Sequence, residues 1–193
     1  MNSEHNQGFT AIELLVVVAL IAVFLALALP SFESTIGRYR ASMAASELTN
    51  ILQFARAQAI TTGQNVTVGR SNATLLTGTG CAYADDDNDW SCGISVYVDA
   101  DSNGLQDADE AAIKTIPPTD FKALNVQIVP NGTTSNNIVY TPLGYATCSA
   151  AGCISNFRGF GISVRPLSSH DPTQTICATM GGKVTQYATD KTC

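Results

Sequence analysis

Histidine is nearly missing from this chain, and most hydrolytic chemistry goes with it. Of 193 residues only His5 and His170 are histidines. His170 sits in His170-Asp171-Pro172, which reads as an exposed turn, so no nucleophile has an obvious base. No phosphate-cradling glycine loop occurs, and no Cys-x-x-Cys spacing of the kind zinc favours. Charge is also scarce, at 13% of residues with a net of −6, and no Lys or Arg lies between Ser71 and Ile113. The first eight residues, Met1–Gly8, carry no Lys or Arg either. Together with a long apolar run after them, this excludes a secretory signal peptide, which has a basic start and a shorter core. The chain reads as a non-enzyme.

What is present begins with that run. Phe9 to Leu29 is 21 residues of mostly apolar side chains broken by one acid, Glu13. About 20 such residues are what a helix needs to cross ~30 Å of hydrocarbon. A carboxylate costs about 2.5 kcal/mol or more near the centre of such a span and less near its end. An acid held there implies a partner charge or a task, and a glycine directly before the run marks a processing point. The expectation is a membrane helix over Phe9–Leu29.

Gly8-Phe9-Thr10-Ala11-Ile12-Glu13-Leu14-Leu15 resembles the prepilin signature of type IV pilins and type II secretion pseudopilins. Ala11 stands where most members carry a larger aliphatic residue, and the usual leader lysine is missing. The resemblance implies cleavage between Gly8 and Phe9 by prepilin peptidase, followed by N-methylation of the Phe9 amine. It also implies that Glu13 pairs with the terminal amine of a neighbouring subunit during assembly. Two charges that are each expensive in lipid offset part of that cost when paired.

Ser31–Thr62 continues in helical style. Pro30 is a kink point, and beyond it Ala44, Leu48, Ile51, Leu52, Ala55 and Ala59 keep a three-to-four spacing that puts one apolar stripe against a core. Gly63 is a stop signal. Short β-like runs follow: Asn65–Gly69, Ala73–Thr77, Gly93–Val98, Ala112–Ile116, Val126–Val129, Ile138–Tyr140, Gly159–Pro166, Thr175–Thr179 and Lys183–Tyr187. The first two read as a hairpin, and Gly181-Gly182 as the turn of the last two. The fold class expected is α+β, of the type IV pilin kind: a long N-terminal helix, half membrane-borne and half amphipathic, on a mostly antiparallel β head. The division is residues 1–8 leader, 9–29 transmembrane helix, 30–62 amphipathic continuation and 63–193 head.

Six cysteines, Cys81, Cys92, Cys148, Cys153, Cys177 and Cys193, all lie beyond the helix. Their even number indicates disulfides in an oxidising compartment. Local pairs, Cys81–Cys92, Cys148–Cys153 and Cys177–Cys193, are the simplest of the connectivities left open.

The segment Leu48 to Ala59, then Gly63-Gln64-Asn65-Val66-Thr67-Val68, is similar to the GspH/FimT group. So is Trp90-x-x-Gly93-x-x-Val96-Tyr97-Val98-Asp99 with the Asn103-Gly104 turn after it. Gly69 replaces a cysteine that many of that group carry, so their disulfides do not transfer. The group includes a type II secretion pseudopilin and minor pilins that prime or cap type IV pili. The cysteines and elaborated head favour a FimU-like minor pilin in a priming or tip complex, with other minor and major pilins as partners. The alternatives are a GspH-like minor pseudopilin and a FimT-like DNA-binding pilin. The placement implied is the inner membrane, single-pass with a periplasmic head, before assembly, and an extracellular pilus filament afterwards.

Two ligand readings remain. Asp99 to Glu110 fits the calcium-loop pattern D-x-[DN]-x-[DN]-G-x5-E, with Asp99, Asp101, Asn103, the Leu105 carbonyl, Asp107 and Glu110 as the Ca²⁺ oxygens. Nine acids between Asp85 and Glu110 repel one another unless solvated or neutralised; a plain hairpin with a polar turn is the competing explanation. DNA is the weaker reading, because the head from Gly63 has seven basic against twelve acidic residues. Its basic candidates are Arg158, Arg165, Lys183 and Lys191.

Overall fold

A computed structural model describes residues 9–71, 89–103, 106–131, 137–147, 159–166 and 174–188. The chain divides into two compact units, Met1–Ile36 and Gly37–Cys193. One helix, α1 (Ala11–Thr62), supplies most of the first and opens the second. Its start is fixed by a reciprocal cap. The Glu13 N–H donates to the Thr10 hydroxyl oxygen at 3.4 Å, and Glu13 Oε2 accepts from the Thr10 N–H and hydroxyl, each at 2.8 Å. This Thr-x-x-Glu box satisfies backbone donors that a helix start leaves without partners. At the other end the Gly63 N–H donates to the Ala59 carbonyl at 3.0 Å, with Gly63 at φ +68°. That is the left-handed stop its sequence position predicts.

The expected membrane helix requires correction. Among the described residues no helix is long and apolar enough to cross a membrane. The finding overturns both the membrane-borne half of α1 and the single-pass inner-membrane placement. The α+β pilin-like architecture itself, one long helix with antiparallel sheet, is retained.

In the second unit, nine described strands follow α1: β1 (Val66–Arg70), β2 (Ile94–Val98), β3 (Ala112–Ile116), β4 (Val126–Asn131), β5 (Asn137–Tyr140), β6 (Ala146–Thr147), β7 (Gly159–Pro166), β8 (Gln174–Thr179) and β9 (Val184–Tyr187). They form two antiparallel sheets, ordered β3-β2-β1-β5-β6 and β4-β7-β8-β9. The predicted stripe Ala44, Leu48, Ile51, Leu52, Ala55 and Ala59 is fully buried and joins one core with Val66, Val68, Ile128, Ile162 and Ile176.

The segment Ala73–Thr77, expected to form a hairpin with Asn65–Gly69, lies outside the described residues; β1 is flanked by β2 and β5. Two described features were not anticipated from the sequence. A short helix, α2 (Pro118–Leu124), uses Pro118 at its first position and buries Phe121. Proline suits that position because the missing N–H is not needed there. A 3-10 turn, Trp90–Cys92, is capped by the buried Asp89, whose Oδ1 accepts from Ser91 N at 2.9 Å and Ile128 N at 3.3 Å.

Arg56 of α1 closes the head at its far end. Its Nε donates to the Gly144 carbonyl at 3.0 Å and its Nη2 to the Gly181 carbonyl at 3.2 Å, tying a turn of each sheet to the helix. The Ala146 N–H donates to the Met180 carbonyl at 2.9 Å across the same junction. Gly182, at φ +75°, leaves no space for a Cβ, which would overlap the Gly144 carbonyl oxygen.

Candidate metal centre

The loop between β2 and β3 is built from the acid-rich segment. Strand β2 delivers Asp99 into the interior, where only 2% of it is exposed. The Asp99 N–H donates to the Asn65 carbonyl at 3.0 Å, and Asp99 Oδ2 accepts from the buried Thr67 hydroxyl at 2.9 Å. At the other end of the loop Glu110 is 8% exposed. Its Oε1 accepts from Ala100 N at 2.7 Å and its Oε2 from Asp107 N at 3.3 Å, so one carboxylate pins the two halves of the loop. Carboxylate oxygens of Asp99, Asp101 and Glu110 all lie within 4.8 Å of one another. This group is able to hold a divalent cation such as Ca²⁺.

Charge at this point is concentrated. Burial first, then the carboxylates of Asp99, Glu110 and Asp107, push the Tyr97 phenol far above the ordinary tyrosine range. Carboxylates so placed repel unless a cation or protons neutralise them.

Of the six oxygens expected from the sequence, three converge: Asp99, Asp101 and Glu110. Asp107 is outside that group but adjoins it, because Asn103 Nδ2 donates to Asp101 Oδ2 and Asp107 Oδ2 at 2.8 Å each. Leu105 lies outside the described residues. Sequence reasoning missed Thr67 and Asn65, which anchor the loop from β1 and the residue before it; Asn65 Nδ2 also donates to Ser102 Oγ at 2.8 Å. The only signal for them was a polar residue at an inward position of a β run.

Phe9 is 85% exposed ahead of α1, and Gly8 lies outside the described residues. Cys92 and Cys177 are each disulfide-bonded. Cys81, Cys148, Cys153 and Cys193 lie outside the described residues, so all three expected pairings do too. Lys183 is exposed in the turn before β9. Arg165 is in β7 opposite Gln127, while Arg158 and Lys191 fall outside the described residues.

A long helix packed on antiparallel sheets, with an acid-rich loop on one sheet, defines a pilin-like subunit. The family described as Type II transport protein GspH matches residues 44–182, and the chain belongs to it. Among solved structures, the type IV minor pilin FimU of Pseudomonas aeruginosa superposes with a TM-score of 0.52. It is 15% identical, covering 80% of this chain and 92% of FimU. The minor pseudopilin EpsH of the Vibrio cholerae type 2 secretion system is 14% identical, with a TM-score of 0.43, 77% of this chain and 97% of EpsH being covered. Comparison with curated protein sequences gives no match. The chain is thus a minor pilin or pseudopilin of pilus-type filament assembly, a structural and non-catalytic subunit that associates with other pilins and secretion-system components.

Proposed function

We propose that this chain is a GspH-like minor pseudopilin, a low-abundance structural subunit of a type II secretion filament. The observation that carries the reading is the family match over residues 44–182, which covers most of the head and the buried half of α1. The cysteines and elaborated head had favoured a pilus subunit, and the FimU-like fold keeps that as the second reading. Deleting the chain in its own organism separates them. Loss of type II exoprotein secretion with pili intact supports the first reading; loss of pili with secretion intact supports the second.

In this reading residues 1–8 form a leader that prepilin peptidase removes between Gly8 and Phe9, with N-methylation of Phe9. Large side chains from Phe9 to Leu25 are 48–85% exposed, an apolar surface that packing between subunits would cover. Glu13 caps its own helix through Thr10 and is the acid that meets a neighbour's terminal amine.

The β2–β3 loop takes Ca²⁺ in this proposal. The donor set fits a hard cation that prefers oxygen ligands, and two of its members are buried carboxylates whose repulsion such an ion would cancel. Asp99, Asp101 and Glu110 would hold it; the ion supplies charge neutralisation and a brace for the loop against β1.

A further inference from the structure

A sheet that ends in mid-surface leaves backbone N–H and C=O groups without strand partners, and native proteins blunt such edges. The two sheets here have four ends, β3, β6, β4 and β9. Three are blunted in different ways. At β4 the Ile128 N–H is taken by the Asp89 carboxylate, and Pro130 has no N–H to offer. At β6, only two residues long, the Ala146 N–H is taken by the Met180 carbonyl. At β3 the pairing with β2 slips at Val96/Tyr97, and Lys114 sits mid-strand with its Nζ over the Phe54 ring.

Among the described residues the fourth edge has none of these devices. Strand β9 reads Val184-Thr185-Gln186-Tyr187, without proline, charge or irregularity. Its hydrogen-bond phase follows from the hairpin. The Thr179 N–H donates to the Lys183 carbonyl, so these two residues form a bonded pair. Bonded and non-bonded pairs alternate in an antiparallel ladder. Thr185 opposite Cys177 is therefore bonded to β8, whereas Val184 opposite Ala178 and Gln186 opposite Ile176 turn their backbone groups outward. Their side chains stay occupied: Val184 packs on the core, and Gln186 Nε2 donates to Gln174 Oε1 at 3.1 Å. The outward edge thus presents two N–H and two C=O groups at strand spacing. Only another extended backbone matches that pattern.

We propose that β9 is a docking edge, and that its occupant is an extended edge strand of a neighbouring pilin-type subunit, added antiparallel or parallel to the β4-β7-β8-β9 sheet. The inference rests on the reading of the chain as a filament subunit. Lys183, exposed in the turn before β9, favours an acidic residue on the incoming strand. Such an edge is recognised through backbone groups, so it tolerates sequence variation in the partner while keeping one register.

Amide hydrogen exchange on the full chain tests this, alone and mixed with the purified pilin-type subunits encoded beside it. In a complex, the Val184 and Gln186 amides should slow by about tenfold or more, because exchange then waits for the partner strand to open. Gln186→Pro removes one outward N–H at a position where an edge strand tolerates proline, and should abolish that protection and weaken the complex. Gln186→Ala, which keeps the N–H, should do neither. A complex that forms without protecting these amides, or forms equally well with Gln186→Pro, overturns the docking edge and leaves the filament reading standing. No complex with any of those subunits overturns both. Protection that appears in the chain alone reassigns the edge to self-association and also overturns the proposal.

Discussion

Replacing Asp101 by Asn should leave the protein folded and remove its response to calcium. Asp101 is the exposed member of the carboxylate group and accepts from Asn103 nearby, while Asp99 and Glu110 are buried and accept from Thr67 and Ala100. Two charges 4.8 Å apart, the longest separation within the group, repel by about 3.5 kcal/mol at an effective dielectric constant near 20. A cation that cancels such repulsion stabilises the fold by mass action. With a dissociation constant of ~10⁻⁴–10⁻³ M, the range of extracellular calcium modules, 10 mM Ca²⁺ adds roughly 1.4–2.7 kcal/mol. For a chain of this size that raises Tm by roughly 3–10 °C. Scanning calorimetry of the full chain in chelator and in 10 mM Ca²⁺ reads the shift, and Asp101→Asn should shrink it to within about 1 °C. In chelator Asp101→Asn should melt close to the parent, since the relief of charge repulsion is set against the loss of one bond accepted from Asn103. An unchanged Tm for the parent in Ca²⁺, or the same rise in the variant, refutes the reasoning.

Other consequences follow from named contacts. Gly182→Ala must place a Cβ into the Gly144 carbonyl at φ +75° and should cost about 3 kcal/mol, whereas Gly63→Ala, at φ +68° in open space, should cost about 1 kcal/mol; urea unfolding compares them. Asp89→Ala leaves the buried N–H groups of Ser91 and Ile128 without acceptors and should lower stability by about 2–4 kcal/mol, with Asn restoring much of it. Burial raises the phenols of Tyr97 and Tyr140, at Tyr140 against the opposing influence of Arg56. A raised phenol gives its full stability below the unfolded-state value near 10 and loses it as pH climbs through the folded one. Stability should therefore fall above about pH 10, and ultraviolet titration should show these two tyrosines ionising only with unfolding; normal titration of either in the folded chain contradicts this.

Much of this architecture was legible because it rests on periodicity and turn chemistry. The stripe from Ala44 to Ala59 follows from 3.6-residue spacing, and the ends of β3 and β7 from β-rich runs between turn residues. Gly63 and Gly182 both occupy the left-handed region their positions demand. What escaped notice depends on contacts between distant residues. Pro117-Pro118 looks like a break, and becomes a helix only because Phe121 has a core to enter. The carboxylates of Asp99 and Glu110 were found from loop spacing, but Thr67 and Asn65, which hold the loop, lie 32 and 37 positions from their partners Asp99 and Ser102. Glu13 was read only as an assembly contact, although Thr10 three residues before it is a capping signature. Hydropathy over Phe9–Leu29 pointed to a membrane helix that the described part of α1 does not supply.

The most direct test of the central claim is the composition of the filament itself. Type II secretion filaments isolated from cells that produce a tagged form of the full chain should contain it at a small fraction of the major subunit, beginning at Phe9. Filaments that lack the chain while cells hold it in abundance would contradict the account.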